Sequence, residues 1–260
     1  MNPRSWRGVG GTLLAIGLAA TALGVAPAGA QEPGCTLVVT QDTTLDRDLS
    51  CPDVAIEIGA PGITFDLGGH QVSSGVEGIR NQGFDGVTIR NGSVSADGVA
   101  VELAGAERNV IRDLTVFTAL QSTIRLTGSD HNRILGNDSV GYRAGIGLRD
   151  SSDWNLVARN YDHGGLYGGM RVTGSARNRI VGNELATRET APLVLTGALG
   201  NLVAGNRVSG QYTEGIALRG SNGNRVTGNR IAAADPAASP TPPAAWRSPS
   251  RTATGSPATR

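Results

Sequence analysis

The sequence contains no lysine: all 23 basic residues among its 260 are arginine. That absence excludes Schiff-base chemistry and a lysine general base. Aromatic residues are scarce too, with three Trp, four Tyr and three Phe, so a core must be built from small and β-branched aliphatic side chains. Two cysteines are too few for a thiolate metal cage. Proline is nearly missing from the middle of the chain, where only Pro192 falls between Ile63 and Asp235, as a ladder of paired strands requires. Glycine is abundant, at 38 residues, yet never recurs at every third position, which excludes collagen. With 39% hydrophobic residues besides, the chain is not a core-poor disordered one.

Residues 1–30 read as a signal peptide. Arg4 and Arg7 form a positive start, Thr12 to Val25 is an apolar run short for a bilayer, and Ala28-Gly29-Ala30 precedes an expected cut before Gln31. The remainder then carries 21 basic and 22 acidic residues, a net charge of −1. That balance speaks against nucleic acid as a partner, and no membrane span is expected in the mature chain. Secreted into an oxidising compartment, Cys35 and Cys51 are expected to close a small loop as a disulfide, two free thiols being the other reading.

Internal repeats decide the fold. Asn109, Asn132, Asn155, Asn178, Asn201 and Asn224 lie 23 residues apart without a slip. A second ladder, Asn137, Asn160, Asn183, Asn206 and Asn229, keeps the same period, with Asn91 in phase two periods earlier and Asp113 beside the intervening position. A third reads Gly105, Gly128, Ser151, Gly174, Gly197 and Gly220. Between the ladders run short apolar alternations of period two and nothing helical. One strand per repeat carries pairs such as Val101/Leu103 and Leu193/Leu195; a second carries Ile111, Ile134, Val157, Ile180, Val203 and Val226; a third ends in Val116, Val140, Leu185, Val208 and Ile231.

This pattern predicts an all-β coil of three short strands per turn, each pairing in parallel with its equivalent one repeat away, about 4.8 Å along the axis. Asn suits the corners through its tolerance of left-handed backbone, and its side chain can bond the next coil. The expected organisation is a disulfide-bearing cap over 31–53, about eight coils of 23 residues over 54–231, and a disordered Ala/Pro/Ser/Thr-rich tail over 232–260. The last coil has no evident cap, which leaves room for an edge-capping partner.

The repeat Gly215-Ile-Ala-Leu-Arg-Gly-Ser-Asn-Gly-Asn224-Arg-Val-Thr-Gly-Asn229-Arg-Ile231 resembles the right-handed parallel β-helix family, the pectate-lyase-like superfamily with NosD-type and alginate-epimerase-type members. The stretch Ile63-Thr-Phe-Asp-Leu-Gly-Gly-His70 resembles the first coil of secreted members. The resemblance spans about residues 35–231 and implies a right-handed single-stranded β-helix with polysaccharide as its partner, bound in a groove at the coil period. Such a family hosts lyases, epimerases and plain binding rods, so function must come from the site.

The candidate groove is the segment before the first strand of each coil: Gln121, Tyr142, Arg143, Tyr161, Asp162, His163, Tyr167, Arg188, Glu189, Gln211, Tyr212 and Glu214. Tyrosine faces stack on sugars, and arginine pairs with uronate carboxylates. As an enzyme, Arg188 would neutralise the uronate, His163 or Tyr167 would take the C5 proton, and Asp162, at a position apolar elsewhere (Leu185), would orient His163. Tyr142, Arg143, Tyr161, Glu189, Tyr212 and Glu214 would hold substrate. The alternative is a non-catalytic surface or carbohydrate-binding module. No cofactor is expected: acidic residues do not cluster for Ca²⁺, and three scattered histidines with Met170 at an inward position give little to copper. His70 reads as structural and His131 as an exposed turn residue.

Overall fold

The computed structural model describes residues 35–163, 169–210 and 214–233, all of it strands and turns. The signal-peptide expectation over 1–30 lies outside these residues, as does the tail from 234 onward. Every strand pair is parallel. The first strands of successive coils build one nine-stranded sheet from Leu37–Val39 to Ile216–Arg219, and the second and third strands share a sixteen-stranded sheet. The chain is thus a parallel β-helix. No helix of the described residues is long and apolar enough to cross a membrane.

The coil pattern runs past both expected ends. Leu37–Val39 already pairs with Ile56–Ile58, and Leu49–Cys51 pairs with Val72–Ser74, so the expected cap is itself a winding of the solenoid. Cys35 and Cys51 are disulfide-bonded across a separation of 16 residues. At the other end Ala232 and Ala233 still pair with Ser209 and Gly210. There the side chains of Leu218, Val226 and Ile231 are exposed at the rim of the last winding.

Inward-facing aliphatics stack into one core, from Val39 through Ile56, Ile79, Val101, Ile124, Met170 and Leu193 to Val208. Polar ladders line it. Each ladder Asn, buried in all but the last winding, where Asn224 and Asn229 are half-buried, accepts the backbone N–H of its counterpart one coil earlier, for instance Asn155 N–H to Asn178 Oδ1 at 2.8 Å. Its amide donates to a carbonyl such as Ser152 O at 2.9 Å. The second ladder repeats this, with Asn160 N–H to Asn183 Oδ1 at 3.0 Å. A further ladder of serines, unseen in the sequence, links Ser129 N–H to Ser152 Oγ at 3.2 Å and Ser152 N–H to Ser175 Oγ at 3.1 Å.

Three expectations change. The ladder asparagines do not themselves adopt left-handed backbone; the residue before each does, as at Arg108, His131, Trp154 and Arg177 (φ 55 to 58°) and at Arg159 (φ 57°). Asn91 belongs to that left-handed column, since Gly92 pairs with Leu114 and so sets Asn91 level with Asp113. Val140 is not inward either. Val116 pairs with Ser139 and Ser139 with Asp162, so the inward column reads Val94, Val116, Ser139, Asp162, Leu185, Val208.

Candidate functional site

Strand alternation sends neighbouring residues to opposite faces, and this parts the residues the sequence had gathered. On the strand Tyr161–His163, Asp162 points into the solenoid and is fully buried. Its Oδ2 accepts the Ile146 N–H at 3.2 Å, and Ser139 Oγ approaches Oδ1 at 3.4 Å while meeting Thr123 Oγ1 at 2.6 Å. Burial pushes the Asp162 carboxyl up to about 6, against that backbone hydrogen bond and the charges of His163 and Arg171. A Cβ added at Gly145 would fall on this carboxylate, so the glycine there makes space for it.

His163 faces the other way. Its Nε2 bonds Asp138 Oδ1 at 2.9 Å, its ring stacks on Tyr161 at 4.0 Å between centroids, and its buried Nδ1 has no partner. Asp138, not Asp162, therefore orients His163. Burial, then Glu184 and Asp138, holds the Tyr161 hydroxyl above its usual pKa. Tyr142 and Arg143 are exposed on the turn between strands. Arg188 and Glu189 are exposed on the next such turn but one. Tyr167, Gln211 and Tyr212 lie outside the described residues.

Glu189 and Glu214 do come together, in a cleft of about 480 Å³ on the outer face of the nine-stranded sheet. Arg171, Thr190, Ala191, Val194, Thr196 and Arg219 complete its lining. Arg171 donates to Ala191 O at 2.9 Å and Thr190 Oγ1 at 3.0 Å; burial pulls its guanidinium pKa down, opposed by Asp162. The sequence reading missed both arginines. They sit on strands at outward positions, Arg171 within Met170–Thr173 and Arg219 at the end of Ile216–Arg219, and only the coil register, which sets Arg171 level with Val194 and Thr196 level with Arg219, brings them beside the two glutamates.

The chain matches the family described as periplasmic copper-binding protein (NosD) over residues 66–254. It belongs to the NosD family. No curated protein matches it. Among solved structures, this NosD chain is similar to the Dettilon tailspike protein at 12% identity and a TM-score of 0.55, covering 76% of this chain and 54% of the other. A DFA-IIIase from Arthrobacter chlorophenolicus follows at 15% identity and a TM-score of 0.53, with 76% and 55% covered. The chain thus spans about half the length of either, and the likeness shows the fold. The family's periplasmic description and the disulfide agree with a place outside the cytoplasm.

Copper, which that description names, takes imidazole, thiolate and thioether ligands. Here His70 meets Asp48, His131 stacks with Trp154, and His163 meets Asp138. Met170 is fully buried in the core, and both cysteines are bonded to each other. Among the described residues no three His, Cys, Asp or Glu side chains converge. The donor set of this NosD chain does not fit copper.

Proposed function

We propose that the protein is secreted and binds an acidic polysaccharide along the outer face of the nine-stranded sheet, with Arg171 and Arg219 taking uronate carboxylates. The cleft carries this reading: two guanidiniums suit carboxylates in bidentate fashion, Glu189, Glu214, Thr190 and Thr196 offer partners to sugar hydroxyls, and Ala191 and Val194 give an apolar wall. That a tailspike protein and a DFA-IIIase share the fold supports carbohydrate as the ligand class. Tyr142 and Arg143, exposed on the turn two windings earlier, would extend the contact.

Binding without turnover is the reading we favour over a lyase or epimerase. Asp162 and His163 face opposite sides of one strand, and neither lines the cleft. Titration calorimetry with oligouronates against a neutral glucan tests the proposal. Oligouronates should bind with an affinity that falls as salt rises, the glucan should not, and Arg171→Ala or Arg219→Ala should weaken binding about tenfold, for roughly 1.5 kcal/mol per charged hydrogen bond lost. Equal binding of both glycans sinks it. Release of unsaturated uronate, seen by ultraviolet absorbance, would restore the lyase reading.

A further inference from the structure

On the outer face of the sixteen-stranded sheet, the second strands of the later windings carry two columns set by their register. Arg133, Leu156, Arg179, Leu202 and Arg225 form one, so that an arginine recurs on alternate windings. Leu135, Ala158 and Val181 form the other, two residues further along each strand. Beyond it lies the corner column Gly136, Arg159, Gly182, Gly205 and Gly228, all at positive φ. A strip of aliphatic side chains thus runs along the axis with arginine on both flanks.

A cleft of about 390 Å³ opens there. Arg133, Arg159 and Arg179, all exposed, line it with Leu135, Leu156, Ala158 and Val181, and no acidic residue does. Among the described residues, no hydrogen bond or ion pair holds any of these three guanidiniums. By contrast Arg80, Arg90, Arg108, Arg112 and Arg125 each meet a carboxylate. Arg159 also stands against the preference of its own backbone, since a side chain at φ 57° is strained where the other four rungs of the column carry glycine. Strain of this kind gathers at ligand sites. On the next rung a Cβ at Gly182 would meet nothing within 4 Å, which leaves the space beside Arg159 open.

We propose that this cleft binds a small organic phosphate, its phosphoryl group taken by Arg159 with Arg133 and Arg179 and its apolar body laid on Leu135, Ala158 and Val181. A phosphomonoester carries a charge of about −1.5 to −2 near pH 7, which answers three guanidiniums better than one carboxylate does. The planar fork of arginine matches its oxygens in bidentate fashion. The aliphatic strip supplies the apolar wall of a small-molecule site, with a few charged groups to fix orientation. Neither the face nor the ligand is that of the polysaccharide reading, and the inference stands apart from it.

Titration calorimetry of the whole chain with phenyl phosphate, inorganic phosphate and benzyl alcohol tests it. Phenyl phosphate should bind about fivefold or more tightly than inorganic phosphate, through its buried ring, and benzyl alcohol should not bind. Arg159→Gly should weaken phenyl phosphate about tenfold, for the charged hydrogen bond lost, while raising Tm through relief of the backbone; lost binding then cannot be lost folding. Arg47→Gln removes an exposed guanidinium from the first winding and should leave the affinity unchanged. No binding of phenyl phosphate, wild-type affinity in Arg159→Gly, or an equal loss in Arg47→Gln overturns the inference. So does inorganic phosphate binding as tightly as phenyl phosphate. If Arg159→Gly does not fold, Arg133→Gln decides: a loss of about tenfold supports the site, and none overturns it.

Discussion

A carboxylate enclosed among aliphatic side chains makes Asp162 the residue on which stability should turn with pH. Its pKa lies near 6 in the folded chain, above the ordinary 3.8. Between those values the native state holds a proton that the unfolded chain has lost, so this contribution is largest below about pH 4 and is lost as pH rises through about 6. At about 1.36 kcal/mol per pH unit the loss is on the order of 3 kcal/mol. Asp162→Asn keeps the shape, accepts the Ile146 N–H and can donate to Ser139, so thermal melts should show a raised Tm at pH 8 and a flatter pH profile. Asn178→Ala should do the opposite, orphaning the Asn155 N–H and the Ser152 carbonyl; urea denaturation should show a loss of about 1–3 kcal/mol for each group left unpaired. Both roles were partly legible in the chain. The asparagine spacing announced stacking, and Asp162 stood out against Leu185. Its partner Ser139, which in turn meets Thr123, did not, because placing Val140 inward put the register one residue off.

At the level of strands and corners, the period was readable because like residues must superpose, and the ladders in the structure are those of the sequence. The corner chemistry was harder to see. Left-handed backbone is borne by Arg108, His131, Trp154, Arg159 and Arg177, residue types that do not advertise it. Arg159 shares its column with Gly136, Gly182, Gly205 and Gly228, all at positive φ. A non-glycine residue there costs about 1–2 kcal/mol, and glycine adds about 0.5–1 kcal/mol of unfolded-chain entropy. Arg159→Gly should therefore stabilise by roughly 0.5–1 kcal/mol, measured by urea denaturation. The cleft was half legible. Glu189 and Glu214 were named for lying on equivalent turns, whereas Arg171 and Arg219 belong to strands, where an outward charge looks like ordinary solvation.

Across the whole solenoid, each winding touches chiefly its two neighbours, so stability approximates a sum of coil and junction terms. The first winding, held by Cys35–Cys51, has a neighbour on one side only among the described residues. Replacing both cysteines with serine should cost about 3 kcal/mol by the loop-entropy estimate for some 15 residues. Hydrogen exchange should show that loss confined to Leu37–Cys51, with amides of the asparagine-laddered windings unchanged; uniform loss of protection would mean that the coils melt together.

The asparagine seams carry one last consequence. Each junction offers the same donors and acceptors to whatever follows it, so one winding can stand in for another. Excising Arg179–Asn201 would splice Asn178 onto Leu202, and the next winding's Asn224 Oδ1, which now accepts from Asn201, would receive the Asn178 N–H instead. Recombination could thus shorten or lengthen the molecule in steps of about 4.8 Å, resizing its outer faces without reinventing a single joint.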